Sequence, residues 1–306
     1  MCEFANAVCR VSLFLFLLCA KRSRQRLFNS FSLLSLSQKP CPRVHFSAAG
    51  ATTTIKSFAM SKDLFSRQAA NYARYRPTYP SALIDYIVSF VPEKNIAWDC
   101  ATGNGQAAVL LANHFKQVFA TDTSEKQIGL AIPKDNIVYS VGKAEQTAFD
   151  DNTFDLITIA QAYHWFQFDL FEKEARRIAK PGAVIAAWGY NIPQCNDQRI
   201  NQLIQHFYTA VVGTYWDAER KYVDDAYSTV SFPFEPLPVV PFSIQVSWNK
   251  DDLPGYLNSW SSVQHFIKAN QYNPVDAFAR QLQELWPVEH IEMLFAFPVF
   301  IRLGRV

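Results

Sequence analysis

The chain has six cysteines in 306 residues but no Cys-x-x-Cys pair and no zinc-ligand spacing. Cys2, Cys9, Cys19 and Cys41 fall in the first 59 residues, and Cys100 and Cys195 stand alone beyond them. Two isolated thiols suit a reducing compartment and argue against a disulfide scaffold or a zinc-built one. An apolar run long enough for a bilayer is also missing. The stretch VSLFLFLLCA, 11–20, lies between Arg10 and KRSRQR and falls short of the ~18 residues a membrane span needs. There is no internal repeat and no low-complexity tract. The body lacks a surplus of positive charge as well. Eight of the 29 Lys and Arg lie in residues 1–59 with one acid, Glu3, so residues 60–306 carry 21 bases against 26 acids. Nucleic-acid binding asks for the opposite sign.

What is present describes a folded α/β body behind a basic leader. Hydrophobic residues make up 49% of the chain and charged residues 18%, enough for a sizeable core. Aromatics reach 15%, sufficient to line an apolar pocket as well as the core. Residues 1–59 are read as a leader outside that core. Three readings stand for it: an organelle transit peptide, a segment left out because synthesis starts at Met60, and a secretory leader. A Met60 start implies the cytoplasm, and a transit peptide implies a plastid or mitochondrion.

From residue 60 to 306 the pattern predicts one domain. Helices are expected at 63–75 and 81–90, separated by the breaker RPTYP, with Ser81 placed to cap the second. Strands follow at about 96–100, 117–121, 136–140, 154–160 and 183–188. They alternate with helices near 105–115, 124–131 and 168–179, the last closed by KPG at 180–182. Short apolar strands alternating with helices mean a doubly wound parallel sheet. Residues 191–241, with a helix at 197–212 and a Pro-rich aromatic tail, are too long for a simple connection and read as an inserted cap. A strand at FSIQVSW, helices near 251–260 and 274–285, and a last strand over 293–302 complete the pattern. That last strand is free to run antiparallel in the sheet.

In such sheets ligands sit beyond the carboxyl ends of the strands, so the residues after each strand are the candidates. IAWDCATGNGQAA, 96–108, ends the first strand in a turn. Gly103 and Gly105 there can adopt positive φ and let a backbone approach a ligand. The spelling fits the turns of NAD and FAD enzymes and of other nucleoside-binding sheets alike. Asp122, 19 residues beyond Gly103, can accept from both ribose hydroxyls of either cofactor type. Asp99 favours a cationic ligand near the turn over a pyrophosphate, which points to S-adenosylmethionine. GKAEQTAF places Ala144 and Glu145 after the third strand, where an adenine could rest. Gln161, Tyr163, His164 and Trp165 follow the fourth. His164 is the histidine beside the site, with an ordinary pKa of ~6.5 suited to a general base if the acceptor is a phenol or amine. A carboxylate acceptor needs none. Arg74 or Arg76 can pair with a carboxylate, and Tyr72, Tyr215, Trp216 and Trp260 can wall the acceptor pocket.

DCATGNG, ATDTSEKQI, VGKAEQTAFDDNTFDLITIAQAYHWF and IAKPGAVIAAWGY, in that order, resemble the class I S-adenosylmethionine-dependent methyltransferases. LFSRQAANYARYRPTYP, the Tyr215-Trp216 pair, LNSWSS at 257–262 and the terminal RLGR narrow the likeness to the branch around the trans-aconitate methyltransferases. The likeness runs over 62–305. It implies the seven-stranded Rossmann-like sheet of that class and S-adenosylmethionine as cofactor. It implies that Asp99, Ala101, Gly103 and Gly105 form the turn around the methionine moiety and that Asp122 binds the ribose. Ala144 and Glu145 flank adenine, and Gln161 lies by the sulfonium. Two departures stand out: Ala101 replaces the usual first glycine, and Lys143 stands where relatives often carry an acid. A small-molecule acceptor follows from the acidic body and from the lack of an N-P-P-Y type tetrad after the fourth strand. O-methylation of a carboxylate or hydroxyl is the expected reaction. An NAD-type oxidoreductase and a non-catalytic S-adenosylmethionine-binding protein are the alternatives. No metal is expected, and no oligomeric state is signalled.

Overall fold

The computed structural model describes residues 75–289 and 291–306. The helix expected at 63–75 lies, all but Tyr75, outside them, as does the leader. Helix α1 (Ser81–Ser89) opens the described fold. Its N-cap is Pro80, whose ring fixes φ at −68°. Ser81, expected to cap, is instead the first helical residue. The α/β alternation then follows: β1 (Ile96–Cys100), α2 (Gln106–Leu111), β2 (Gln117–Asp122), α3 (Glu125–Ile128), β3 (Ile137–Val141), β4 (Phe154–Ala160), α4 (Phe168–Ile178) and β5 (Ala179–Tyr190). The remainder comprises α5 (Gln198–His206), α6 (Arg220–Asp224), β6 (Glu235–Pro236), β7 (Phe242–Trp248), α7 (Asp252–Leu257), α8 (Ser261–Asn270), α9 (Val275–Leu285) and β8 (Met293–Arg305).

The strands form one eight-stranded sheet in the order β3-β2-β1-β4-β5-β8-β6, with β7 also paired to β8. Without the two-residue β6 it is the expected seven-stranded, doubly wound sheet. β1 to β5 are parallel and β8 is antiparallel to its neighbours. β8 is long enough to serve two partners: Met293–Val299 pairs with β7, and Val299–Arg305 pairs with β5. The switch in strand order falls between β1 and β4, which puts their carboxyl ends beside a crevice.

Alternate residues of the central strands pack into separate cores on opposite faces of the sheet. Leu156, Val184, Ala186 and Trp188 join α1 and α2, whereas Ile157, Ile159, Ile185 and Ala187 join α4. KPG does not end a helix and precede a strand as expected. β5 begins at Ala179, and Lys180 bonds to Asp155 at 2.6 Å while Asp155 accepts the Ile96 amide at 2.8 Å, so one buried carboxylate pins the amino ends of β1, β4 and β5.

A third apolar cluster covers the sheet's far end. Residues 191–241 supply Ile200, Leu203, Ile204 and Phe207 to it, and a second segment, α7 to α9, supplies Leu253, Tyr256, Val263, Phe278 and Leu282. α5 passes into a π-helical turn, Phe207–Val211, so the expected helix to 212 changes its winding on the way. The expected helix at 251–260 stops at Leu257, and α8, absent from the sequence reading, restarts after Trp260 in extended backbone (φ −75°, ψ 139°).

Candidate active site

The carboxyl ends of β1, β2, β3 and β4 lie side by side, with Cys100 opposite Thr121 and Ile159, and Asp122 opposite Val141. The turn after β1 is built on three residues of positive φ: Ala101 (54°), Gly103 (58°) and Gly105 (86°). Among the described residues a Cβ at Gly103 would meet nothing within 4 Å, so open space lies over the turn. Asp122 ties the turn to the next element: Oδ2 accepts from the Gly103 amide at 2.9 Å and Oδ1 from the Ser124 amide at 2.8 Å. Ser124 Oγ in turn accepts from the Gln127 amide and caps α3. Burial pushes the Asp122 carboxyl above its ordinary pKa, and the amides of Ser124 and Gly103 oppose the shift.

Ala101 carries a side chain in backbone that favours glycine. Ala101→Gly is expected to raise stability by about 1 kcal/mol, read as a higher urea midpoint with an unchanged slope.

Asp99 has no exposed surface, and its two oxygens accept from the hydroxyls of Thr102 and, at 2.8 Å, Thr158. It supports the turn from below; the direct meeting with a cationic ligand expected of it has no exposed atom to make it. Burial first, and the Asp122 charge last and least, push its pKa up to about 6 against the pull of the two hydroxyls. The folded protein therefore holds this proton more tightly than the unfolded chain does. Asp99 favours folding below about pH 4, and that contribution, on the order of 3 kcal/mol, is lost as pH rises through about 6. Asp99→Asn is expected to flatten the pH dependence of urea stability over that window.

The other expected cofactor residues lie on the same rim. Ala144 is buried, and Glu145 Oε1 accepts from the Gln167 amide at 3.0 Å, holding the start of α4. Lys143 is exposed beside them. Gln161 (φ 55°) turns its side chain back so that Oε1 accepts from the Tyr190 amide at 2.8 Å, linking the ends of β4 and β5.

Next to Gln161 opens a cavity of about 60 Å³. Of the residues expected to form the acceptor site, Arg76, His164, Trp165, Trp216 and Trp260 line it together with Gln161. Tyr163 and Tyr215 do not. Tyr163 is buried, donates to the Ser231 carbonyl at 2.8 Å and packs among Phe168, Phe171 and Tyr227. Tyr215 faces Phe266 and accepts from Asn270 at 2.9 Å. Tyr72 and Arg74 lie outside the described residues. Arg76 donates to the Tyr190 hydroxyl at 3.1 Å and the Ser259 carbonyl at 3.3 Å and lies 5.6 Å from the Tyr256 ring centre.

Sequence reasoning missed Tyr190, Tyr256, Asp217 and Arg220, which also line the cavity. Tyr190 was within reach, since it ends a strand at the carboxyl edge. Arg220 was not, because its place depends on the folding of the cap. Its guanidinium lies 4.7 Å from the Trp216 ring centre and 5.3 Å from that of Tyr208, and its Nε bonds to the Tyr208 hydroxyl at 2.8 Å and to Asp224.

His164 is a weaker base than its ordinary pKa led to expect. Burial pushes its pKa down to about 3, with Arg220 adding to the fall and Asp217 opposing it, so the ring is neutral throughout the physiological range. Among the described residues no group of three or more metal-ligating side chains converges, and no helix is long and apolar enough to cross a membrane.

A wound sheet with a glycine turn at its switch point, an acid ending β2 and a cavity past β4 is the architecture of a nucleoside-cofactor enzyme. A family model described as a methyltransferase domain matches residues 98–187. A Dictyostelium discoideum protein provisionally named a methyltransferase is 34% identical over 260 residues, covering 83% of this chain and 99% of its own. A solved structure from Anaeromyxobacter dehalogenans, provisionally described as a type II methyltransferase, matches with a TM-score of 0.71 at 35% identity, over 76% of this chain and 98% of that one. A methyltransferase of Aspergillus candidus is 27% identical over 201 residues, 56% of this chain and 63% of its own. The chain belongs to the class I S-adenosylmethionine-dependent methyltransferases. It is an enzyme, and its cofactor is S-adenosylmethionine, not a nicotinamide.

Proposed function

We propose that this methyltransferase esterifies a small carboxylic acid. The observation that carries the reading is the cavity itself: two guanidiniums and a neutral histidine stand among aromatic walls, with Asp217 the one acid in the lining among the described residues. Such a lining suits an anionic acceptor that arrives already deprotonated and needs no base. The motif-level likeness to the trans-aconitate branch points the same way.

The rim fits the cofactor. The open space over Gly103 admits a ligand against the turn, and the Asp122 carboxylate is held at the edge where a ribose would lie. S-adenosylmethionine supplies an electrophilic methyl on a sulfonium. This chain's part is to hold the adenosine between Asp122 and the loop of Ala144 and Glu145, to keep Gln161 by the sulfonium end, and to exclude water with the cap. Incubating the purified chain with S-adenosylmethionine and a panel of small carboxylic acids, phenols and amines tests the reading. Release of S-adenosylhomocysteine is expected with carboxylic acids, and turnover confined to phenols or amines defeats it.

Arg76 belongs to the acceptor side in this reading. Arg76→Met is expected to leave S-adenosylmethionine affinity within about twofold and to raise the acceptor KM by about tenfold or more, the loss of a charged hydrogen bond. A weakened cofactor affinity with an unchanged KM would place Arg76 on the other side of the site.

A further inference from the structure

A neutral His164 lining the cavity still has to do something there, and the residue that decides what is Tyr227. Tyr227 is fully buried and sits, with Ala226 before it, in left-handed backbone (φ 57° and 51°), a conformation that side chains of this kind disfavour. The surroundings enforce it. The Tyr227 amide bonds to the Tyr222 carbonyl at 2.8 Å, Arg302 donates to the Tyr227 carbonyl at 2.6 Å, and the ring packs edge-on against Tyr163 and Phe300. All of this aims the hydroxyl at one target, His164 Nδ1, 3.0 Å away.

The direction of that hydrogen bond follows from burial. Tyr227 has no exposed surface, and among the described residues its hydroxyl meets no acceptor other than His164 Nδ1, so the phenolic hydrogen is satisfied only by donating there. Burial keeps that hydrogen on the tyrosine by holding the hydroxyl well above its ordinary pKa. An imidazole that accepts at Nδ1 carries its own proton at Nε2. Nε2 has no partner among the described residues, and His164 lines the cavity.

We propose that Tyr227 is a positioning residue that locks His164 in the Nε2–H tautomer, so that His164 meets the methyl acceptor as a hydrogen-bond donor to a carboxylate oxygen. The inference rests on the carboxylate reading above for its ligand, and on Tyr227 for its geometry. The neighbours are of the same kind. The buried Trp216 Nε1 has no acceptor among the described residues, and Arg220, stacked on that indole, brings its positive charge to the same wall. Donors on one side of the cavity hold one carboxylate oxygen and leave the other to react. Transfer forms an O–CH3 bond as the S–CH3 bond breaks, and the bonding pair stays on sulfur. No proton moves, so a donor at this position is enough.

The tautomer is directly observable. The full chain, with its six histidines labelled in 15N, is expected to show one ring with the Nε2–H pattern that does not titrate between about pH 5 and 8. That signal disappears in His164→Gln, and Tyr227→Phe moves it toward a mixture of tautomers. An Nδ1–H pattern, or titration in that window with Arg220 and Asp217 in place, overturns the proposal. The donor role is read with whichever carboxylic acid of the panel is turned over. His164→Gln, whose amide N–H can stand in for Nε2–H, is expected to keep the acceptor KM within about threefold, and His164→Ala to raise it about ten- to a hundredfold, with S-adenosylmethionine affinity unchanged in both. Equal losses in the two variants overturn the donor role. Failure of every carboxylic acid to react defeats the functional reading instead, and the tautomer measurement stands apart from it.

Discussion

Asp122→Ala is expected to weaken S-adenosylmethionine binding by two orders of magnitude or more, measured calorimetrically on the purified chain. The carboxylate accepts from the amides of Gly103 and Ser124, so one side chain fixes both the floor of the turn and the start of α3. Hydrogen bonds to a charged group are worth about 1.5–3 kcal/mol each, and removing the acceptor leaves two amides to find new partners. The proposed ribose contact is lost with them. Thermal stability is expected to change much less than affinity, because burial raises the carboxyl pKa and the charge is held there against its own solvation. Asp122→Asn keeps one acceptor oxygen and should fall between. An affinity within about threefold of wild type for Asp122→Ala would remove Asp122 from the cofactor site and take the rim reading with it.

The parts of the fold that were legible in the sequence are those whose signals are local. β1, β2 and β4 end within a residue of expectation, because each is a short apolar run closed by a turn. Where the outcome depends on contacts distant in sequence, the reading failed. KPG looks like a helix stop, yet Lys180 is drawn into β5 by Asp155. α8 was hidden because a polar stretch, SSVQHFIKAN, becomes a helix only when Val263 and Phe266 can reach the core shared by α5 and α9. The site shows the same division. The rim from Ala101 to Glu145 follows strand ends and could be read directly. The choice among Tyr163, His164 and Trp165 could not, since they form one 3₁₀ turn in which successive side chains point a third of a turn apart. Tyr163 enters the core and the other two reach the cavity. The fall of the His164 pKa is likewise a product of burial and of Arg220 arriving from the cap.

Gly105→Ala is expected to cost about 2–4 kcal/mol of stability and to lower cofactor affinity sharply, whereas Gly103→Ala, two residues earlier, should be milder in stability. Both glycines have positive φ and share that backbone penalty. The difference lies in what the new methyl meets. At Gly103 it enters open space, where it can only crowd a ligand. At Gly105 it would run into Tyr139 Oη and lie 3.0 Å from two ring carbons. Tyr139 cannot yield freely, because its hydroxyl donates to the Ile132 carbonyl at 2.8 Å and the Ile132 amide bonds back to Asn104 in the turn. Relief of the clash therefore pulls on the same turn that meets the cofactor. The two contributions separate in a double-mutant cycle. In a Tyr139→Ala background the steric part disappears and the φ penalty stays, so Gly105→Ala should then cost about 1–2 kcal/mol, close to Gly103→Ala. If Gly105→Ala costs the same with and without the Tyr139 ring, close packing is not what demands glycine there, and the backbone conformation alone accounts for it.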